Sequence, residues 1–520
     1  MKVLKGILGI LAVALLFTSC NKFLDKAPDD RTELNSKQKI VDLLVSAYGT
    51  RDNCFVHKYM SDDVMYNGSS YSANANEEKL WRFEDVETEG NDDPRSLWNN
   101  YYFAVATANT ALEAIETLGD SDGDLSGPKS EALLCRAFAM WRLADVFCMA
   151  YNPEQNYPGL PYPKQVGVEI FDRGTLTELY DNINQDIEDA LAIFDDEHIN
   201  GSKYRFTRKA AYAFAARFNL MYHKWDKAIE YSSQVLGDNP FLVLREWSKY
   251  QPLGATDCGN LFAQSSEPAN LLMHTAFSLA GRRSYASSRY NHSTTTANFE
   301  TYWAPCPWGT GSGTNNALWL KKAWGSAQGC SYYRVKEFFE YTDKVGRTGY
   351  AHIVMSEFTG EEVLLTRAEA YIMKGEYQKA VDDMNTWMQA ECDQSNSKFV
   401  VFTVENVPQV MSAYADSKVN PGSVNRDRTI KKVLNPQGFS ISEQQTPYLQ
   451  LILHMRRIAD LFTYRRMTDV KRYGIEYAHP TPDNPRPEDT DKEIFRAGDL
   501  RGAVQIPNDV MNAGIAPNPR

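Results

Sequence analysis

The feature that most constrains the fold is a pair of adjacent amphipathic helices whose pattern recurs later in the chain. Apolar residues at helical spacing predict helices over 207–223 and 225–236. The segment WDKAI at 225–229 has a counterpart, YQKAV, at 377–381. Small residues at matching positions let two antiparallel helices approach closely; they are Ala216 and Ala228 in one copy and Ala368 and Ala380 in the other. The pattern favours stacked helix pairs, with two unrelated pairs as the alternative.

Helical periodicity extends over much of the remaining chain, and it predicts a mainly α fold. The predicted helices are 37–48, 97–118, 130–150 and 175–194, one from about 360, and one over 448–473. The helix pairs resemble tetratricopeptide repeats imperfectly, because Asn219 stands where an aromatic residue is usual and the second copy has Tyr371. We therefore expect a scaffold of tetratricopeptide-like helix pairs over about 37–60, 97–245 and 360–475.

Two stretches interrupt this helical pattern, about 61–96 and 247–350, and both are rich in Ser, Asn and Gly. After Trp247 at its start, the second stretch holds four more of the ten tryptophans. An aromatic ring can cover the C–H face of a sugar while polar side chains bind its hydroxyls. We therefore predict a ligand-binding insertion, with packing of the loop's own core as the alternative for each residue. The candidates are Trp303, Trp308, Trp319, Trp324, Tyr71 and Trp81.

The N-terminus has the pattern of an export signal. Lys2 and Lys5 precede an apolar run over 6–17, which is too short for a membrane span of ~20 residues. Cys20 follows Thr-Ser and resembles the lipobox cysteine of bacterial lipoproteins, which implies acyl chains such as palmitate on it. Phe17 departs from that pattern, where Leu is commoner, and an ordinary signal peptide is the alternative. The predicted organisation is a signal peptide at 1–19, a lipidated tether at 20–36 and a single body at 37–520.

Charge and motif content exclude several classes of function. The formal net charge of −12, without a basic cluster, argues against nucleic acid as a partner. The sequence contains no HExxH or phosphate-binding loop, so we expect no catalysis. The seven cysteines besides Cys20 form no CxxC pair, and Cys306 could pair with Cys330 across a loop.

One acidic cluster is a weak candidate for calcium. Asp120, Asp122, Asp124 and Glu131 occupy positions 1, 3, 5 and 12 of an EF-hand loop. Leu125 replaces the glycine that the turn requires, and Pro128 falls at position 9. A helix–helix connection with an acidic N-terminal cap explains the same residues. No other metal or cofactor is expected.

Several fragments, in order along the chain, carry a family resemblance. They are SCNKFLD at 19–25, CRAF at 135–138, TLTELY at 175–180, EVLLTRAEAY at 362–371, RMTDVKRYG at 466–474 and QIP at 505–507. Together they resemble the SusD/RagB family, the outer-membrane nutrient-binding lipoproteins of Bacteroidetes. The segment MRRIAD at 455–460 departs from the family pattern. These motif residues are interpreted as scaffold and not as ligand contacts.

The resemblance implies a body of four tetratricopeptide-like units that caps a SusC-like, TonB-dependent transporter in the outer membrane. It implies delivery of an oligosaccharide or polysaccharide to that transporter, at the cell exterior and without catalysis. Capture of a peptide, as in RagB-like relatives, is one alternative. A glycosidase, a repeat scaffold that binds only protein, and a lid that has lost ligand binding are the others.

Overall fold

Helices dominate the structure, a computed structural model that describes residues 33–119, 123–167, 171–331, 334–419, 428–463, 465–481 and 493–520. The fold class predicted from periodicity, mainly α, is confirmed. In chain order the helices are α1 Lys37–Leu44, α2 Cys54–Met60, α3 Ala75–Trp81, α4 Pro94–Leu118, α5 Ser126–Phe147, α6 Leu176–Ala192, α7 Arg208–Met221, α8 Trp225–Leu236, α9 Ala255–Phe262, α10 Ala280–Tyr285, α11 Thr294–Glu300, α12 Gly360–Met373, α13 Tyr377–Glu391, α14 Asn406–Ser412, α15 Thr446–Ala459, α16 Arg466–Tyr473 and α17 Asn508–Asn512.

Helix α6 shows how local sequence sets these boundaries. The Thr175 hydroxyl accepts a hydrogen bond from the Glu178 backbone N–H at 3.1 Å, and the Glu178 carboxylate accepts one from the Thr175 N–H at 2.7 Å. This reciprocal capping box satisfies two backbone donors that a helix start leaves unpaired. Ile183 and Ile187, one turn apart, are fully buried, so the same segment supplies both the helix start and its core face.

The recurring helix pairs are present, as the sequence predicts. Helices α7 and α8 form one antiparallel pair and α12 and α13 the other, and α8 also packs against α12. The four alanines that the pattern singles out are fully buried: Ala216, Ala228, Ala368 and Ala380. Small side chains at these positions allow close contact of the helices, so the two pairs form one continuous layer.

The predicted helix over 448–473 is wrong in its middle. Helix α15 ends at Ala459 and α16 begins at Arg466. Between them Phe462 has a φ of 73°, a left-handed conformation that a helix cannot contain. The Arg465 guanidinium donates to the Asp460 carboxylate at 3.1 Å across the bend, so the turn is stabilised by an ion pair.

A three-stranded antiparallel sheet lies largely within 247–350, where the sequence predicts loops. Its strands, in spatial order, are β2 (Asn270–Ala276), β7 (Thr348–Thr359) and β6 (Lys336–Asp343), and β7 leads directly into α12. The prediction of irregular structure there was wrong: β6 and β7 form a hairpin, and β2 pairs with β7 although the two strands are far apart in the chain. The strands are β1 Met65–Tyr66, β2 Asn270–Ala276, β3 Tyr290–Asn291, β4 Trp324–Ser326, β5 Gly329–Ser331, β6 Lys336–Asp343, β7 Thr348–Thr359, β8 Tyr477–Ala478 and β9 Ile494–Phe495.

Polar residues of the fragments that carry the family resemblance are paired inside the helical body. Arg136 binds both carboxylate oxygens of Asp186 at 2.7 Å. Glu369 on α12 accepts hydrogen bonds from Arg472 at 2.8 Å and from the Tyr473 hydroxyl at 2.7 Å, and it also binds Arg456. Buried charges of this kind are costly unless they are paired. The motif residues therefore act as scaffold.

Substitution of Gly360, the first residue of α12, tests the packing of the start of α12 against Val243. A Cβ atom added there would lie 1.8 Å from the Val243 carbonyl oxygen, so Gly360→Ala is expected to lower the free energy of unfolding by about 3 kcal/mol. Gly375 has a φ of 75° but nothing within 4 Å of an added Cβ, and Gly375→Ala is expected to cost about 1 kcal/mol. Urea unfolding of both variants measures the difference. Equal costs would contradict the steric explanation.

The thiol state of the cysteines and the presence of membrane-spanning helices are described for the residues that the structure covers. Cys306 and Cys330 are both free thiols, as are the other five described cysteines, and all seven are buried. The disulfide that the sequence left open is therefore not formed. Across the described ranges, no helix combines the length and the apolar character that a membrane span requires. The signal peptide and Cys20 lie outside the described residues.

Candidate functional site

Two of the six candidate aromatic residues, Trp81 and Trp308, are fully buried. The Trp81 ring stacks on His479 with 3.6 Å between ring centroids. The Trp308 ring stacks on His454 at 5.2 Å and contacts Trp387 at 5.5 Å. Neither indole leaves a face for a ligand, so the prediction that they bind one is wrong. Both indoles instead belong to the hydrophobic core, which is the packing role that the sequence analysis gives as the alternative.

The other candidates in the insertion keep part of their surface exposed. Trp303, Trp319 and Trp324 are partly buried and pack against the core from outside. Trp303 Nε1 donates to the Lys321 carbonyl oxygen at 3.1 Å, and the Lys321 N–H donates to the Trp319 carbonyl oxygen at 3.2 Å. Lys321 thus holds two of the tryptophans next to each other, and Trp324 follows three residues later at the start of β4.

Tyr71, from the earlier loop, is joined to the same region. The Arg289 Nε atom donates to the Tyr71 carbonyl oxygen at 3.1 Å. The Asn67 side-chain amide donates to the Gln328 carbonyl oxygen at 2.9 Å, in the turn between β4 and β5. Trp324 begins this β4–β5 hairpin. The structure therefore connects the two loop segments that the sequence predicts to be functional, although they are far apart in the chain.

The tryptophan-bearing segment is held in a fixed conformation. The Asn316 side-chain amide donates to the Tyr302 carbonyl oxygen at 2.7 Å and to the Gly311 carbonyl oxygen at 2.9 Å. Gly309 has a φ of 113°, and a Cβ added there would lie 2.2 Å from the Asn315 carbonyl oxygen, so only glycine fits. We define residues 301–324 as the aromatic loop; its rigidity means that the tryptophans are positioned before any ligand arrives.

A buried carboxyl group lies beneath the aromatic loop. The Glu391 carbonyl oxygen accepts a hydrogen bond from the Trp319 N–H at 2.9 Å, and its side chain is 2% exposed. Burial raises the pKa of Glu391 to about 8, although the nearby Arg334 acts in the opposite direction. The group is therefore a neutral acid at pH 7, at the base of the loop and away from its exposed surface.

An open groove lies between α14, the first turn of α15 and residues 431–434, and the sequence gives no signal for it. Its volume is about 380 Å³, within the range of small-ligand sites. Among the described residues, no aromatic side chain lines the groove. Its floor is aliphatic and its rim is polar, with an ion pair of 3.1 Å between Lys431 and Asp416. The lining residues are Pro408, Met411, Ser412, Asp416, Lys431, Val433, Leu434, Glu443, Thr446, Pro447 and Gln450.

The calcium candidates do not form one cluster in the described chain. Asp120 and Asp122 lie outside the described residues. The Asp124 carboxylate accepts a hydrogen bond from the Ser126 N–H at 2.8 Å, which is the helix-cap role that the sequence offers as the alternative. Glu131 does not face this loop.

Glu131 instead lies in the core, with 1% of its surface exposed. Its carboxylate accepts hydrogen bonds from Arg205 Nε at 2.7 Å and from the Tyr48 hydroxyl at 2.5 Å, and His198 Nε2 lies 2.8 Å away. These contacts hold its pKa below the ordinary value despite burial. Glu131 is therefore unavailable as the bidentate calcium ligand. Over the described ranges, no group of three His, Cys, Asp or Glu residues is placed to hold a metal ion.

Comparison with known proteins agrees with this architecture. Residues 22–220 match the family model SusD-like_3, described as starch-binding associating with outer membrane. A SusD superfamily protein from Bacteroides thetaiotaomicron is 17% identical and superposes with a TM-score of 0.62, covering 94% of this chain and 100% of that one. A SusD-like carbohydrate binding protein from Bacteroides vulgatus is 14% identical, with a TM-score of 0.61, 92% of this chain and 97% of that one covered.

A third solved structure, a SusD superfamily protein from Bacteroides fragilis, is 15% identical, with a TM-score of 0.62 and coverage of 94% and 100%. None of the curated proteins matches the sequence. At these identities the structural similarity establishes the fold. The residues that bind a ligand have to be argued from this chain's own surface.

Proposed function

We propose that the chain is a SusD/RagB-family protein, because residues 22–220 match the SusD-like_3 family model and the fold matches SusD superfamily structures, and that it binds an oligosaccharide or polysaccharide at the cell surface. The observation that carries this proposal is the rigid aromatic loop with its three partly exposed tryptophans. Indole faces cover the C–H faces of sugar rings at little conformational cost, because the rings have few rotatable bonds. The family description as starch-binding and the carbohydrate-binding relative from Bacteroides vulgatus support the same ligand class.

The residues around these rings supply the polar half of a sugar site. Lys322 is exposed beside Lys321, and Thr310, Ser312 and Asn315 are exposed in the turn that faces away from the core. Hydroxyl, amide and ammonium groups can each hydrogen-bond a sugar hydroxyl. Tyr71 and Arg289, from the joined loop, extend the same set of groups. No pair of these side chains forms an acid–base arrangement, so the proposed role is binding without catalysis.

The proposed cellular role is delivery of this glycan to a SusC-like, TonB-dependent transporter. The proposed attachment to the outer membrane is through lipid on Cys20, with the body facing the cell exterior. Multiple acyl chains provide stable anchoring without a membrane span. Metabolic labelling with a palmitate analogue tests the anchor, since Cys20→Ser is expected to abolish labelling.

Calorimetry against a panel of polysaccharides tests the binding function. A chain that begins at Asn21 keeps every described element and lacks the lipid. The triple variant Trp303→Ala, Trp319→Ala and Trp324→Ala is expected to bind the recognised glycan at least about tenfold more weakly, which corresponds to about 1.4 kcal/mol. The loss follows from removing the three ring faces while leaving the buried Trp308 in place.

Phe103→Ala is the matched control, because Phe103 is 61% exposed on α4 and far in sequence from the aromatic loop. Its affinity is expected to equal that of the unsubstituted chain. Unchanged affinity in the triple variant would remove the aromatic loop from the site. Silence of the unsubstituted chain toward all glycans would contradict glycan binding itself, and release of reducing ends from a bound glycan would show an enzyme.

A second candidate function, capture of a peptide, is favoured by the groove at α14 and α15. Its floor is formed by Met411, Val433 and Leu434, which suit aliphatic side chains, and it offers no ring on which a sugar could stack. The polar rim offers hydrogen-bond partners to a peptide backbone. A calorimetric response to peptides together with silence toward glycans would favour this function over the first.

A further inference from the structure

The insertion that carries the aromatic loop is poor in acidic residues. The chain has 67 Asp and Glu among its 520 residues, yet Glu300 is the only one between Glu267 and Glu337. Glu300 is 3% exposed and accepts a hydrogen bond from Arg457 at 2.8 Å. The basic residues of the same interval are Arg282, Arg283, Arg289, Lys321, Lys322, Arg334 and Lys336. A chain with a net charge of −12 therefore has one stretch of opposite character, and that stretch holds the tryptophans.

The three arginines that precede the aromatic loop are balanced by carboxylates from other elements. Arg283 lies 3.4 Å from Glu77. Arg289 lies 3.4 Å from Glu78, and Arg282 forms an ion pair with a glutamate of β6. The charges of these three groups are therefore neutralised within the molecule.

Lys321 and Lys322, inside the aromatic loop, differ from these arginines. Lys321 Nζ donates to the Asn316 carbonyl oxygen at 3.1 Å, and Lys322 Nζ donates to the Gln251 carbonyl oxygen at 2.9 Å. Within the described ranges, neither ammonium group forms an ion pair with a carboxylate. An ammonium group has three N–H donors, so each lysine is positioned by a hydrogen bond to a carbonyl oxygen and can offer its other donors to a ligand.

Two acidic residues adjoin the aromatic loop, and neither is paired with these lysines. The Asp393 N–H donates to the Ala317 carbonyl oxygen at 2.7 Å. The Asp393 carboxylate accepts hydrogen bonds from the N–H and the hydroxyl of Ser395, at 2.9 and 2.7 Å. Glu391 is 2% exposed, at the base of the loop. Among the described residues, the positive charge on the outer side of the loop is therefore not matched by an ion pair.

Lys321 lies directly among the tryptophans. Trp303 Nε1 donates to the Lys321 carbonyl oxygen at 3.1 Å. The buried Leu318 and Leu320, each 1% exposed, alternate with the partly exposed Trp319 and Lys321. Side chains of an extended segment alternate between its two sides, so the Trp319 ring and the Lys321 side chain leave the loop on the same, outward side.

We propose that the glycan bound by this chain is anionic, with sugar rings that stack on the tryptophans and carboxylate or sulfate groups that bind Lys321 and Lys322. This inference rests on the proposed glycan binding and names the class of glycan. An acidic group projects from the edge of a sugar ring. A ring that covers an indole therefore places its charge to the side, where a neighbouring ammonium group can reach it.

The strength of such contacts favours an anionic ligand over a neutral one. Hydrogen bonds between an ammonium group and an anionic oxygen are about twice as strong as those between neutral groups. The net charge of −12 does not prevent binding, because charges more than about 8 Å away are largely screened at physiological ionic strength. Two lysines among aromatic rings suit single charged groups on stacking sugars.

The test uses the chain from Asn21 and pairs of polysaccharides that differ only in charge. Polygalacturonate, alginate and hyaluronan are each compared with their methyl esters, chondroitin sulfate is compared with desulfated chondroitin, and starch, galactan and mannan are the neutral members. Calorimetry is expected to show at least about tenfold tighter binding of the recognised polymer in its more anionic form. A preference within an ester pair identifies a carboxylate as the bound group, and one within the chondroitin pair identifies a sulfate. Raising the salt from about 50 to about 500 mM is expected to weaken binding of the anionic form and to leave that of the neutral ester unchanged.

The double variant Lys321→Gln and Lys322→Gln is expected to lose the preference for the anionic form and to keep the affinity for the neutral ester, because the tryptophans remain. The matched control is Lys344→Gln with Arg347→Gln. It removes two exposed cations from the turn between β6 and β7, and it is expected to keep the preference.

The outcomes separate this inference from the proposed function. Equal affinity within every pair, or binding of neutral polymers alone, would overturn the anionic class and leave glycan binding intact. A preference that survives in the lysine variant, or that the control loses equally, would overturn the assignment to Lys321 and Lys322. Silence toward every polymer, anionic and neutral, would contradict glycan binding and this inference with it. If the lysine variant does not fold, the ester comparison and the salt dependence of the unsubstituted chain still decide.

Discussion

Glu369→Gln is expected to lower the free energy of unfolding by about 3–5 kcal/mol, the cost of breaking a buried ion pair from one side. Glu369 is fully buried on α12 and binds Arg456, Arg472 and the Tyr473 hydroxyl. The amide keeps the shape but removes the negative charge, so two buried arginines are left with only Asp469 as a partner. Urea unfolding at pH 7 measures the loss.

The matched control for that variant is Glu376→Gln. Glu376 pairs with Lys379 three residues later, at the surface, and such pairs contribute about 0–1 kcal/mol. The two arginines hold the pKa of Glu369 at about 2, below the ordinary 4.5. Its stabilising effect is therefore complete above pH 4.5 and is lost as the pH falls toward 2. A Glu369→Gln variant as stable as the Glu376→Gln control would show that Glu369 is not a hub of the core.

The effect of Glu391 on stability has the opposite pH dependence to that of Glu369, and Glu391→Gln is expected to remove it. The pKa of Glu391 is about 8 in the folded chain against an ordinary value of 4.5. Between these pH values the folded state holds a proton that the unfolded chain has released, so stability falls as the pH rises. The permanently neutral amide removes this loss. The variant is expected to be more stable than the unsubstituted chain at pH 9 by an amount on the order of a few kcal/mol.

Below pH 4.5 the two proteins are expected to have similar stability, because both side chains are then neutral in both states. Thermal melts from pH 4 to pH 9 measure the difference at each pH. Asp460, whose pKa burial raises to about 6, is present in both proteins and cancels in the comparison. Glu116→Gln, on the exposed face of α4, is the control. A difference that is constant over this pH range would contradict a raised pKa for Glu391.

The helical part of the fold could be predicted from sequence because its signals are local. Helix α8 begins and ends at the predicted residues, Trp225 and Leu236, since a 3.6-residue apolar period and a following glycine mark both ends. The break after α15 could not be predicted in this way. It depends on the left-handed Phe462 and on the ion pair of Arg465 with Asp460, and neither leaves a pattern in the local sequence.

The aromatic candidates were only partly predictable, for a related reason. Composition identified the segment that contains Trp303, Trp319 and Trp324, and the structure joins it to the loop of Tyr71. Composition could not distinguish these residues from Trp81 and Trp308. The burial of those two rings depends on His479 and His454, which come from distant elements. The groove at α14 and α15 could not be predicted from composition, because ordinary aliphatic and polar residues line it.

The hydrogen bond from Asn67 to Gln328, which joins residues 261 positions apart, has a consequence for the order of folding. A contact of such long sequence separation closes late, because the loop entropy is lost before the contact can compensate for it. The chain can therefore complete its N-terminal helices while the surface around Tyr71 and Trp324 is still unassembled. The surface around Tyr71 and Trp324 would then assemble only after most of the polypeptide has been synthesised.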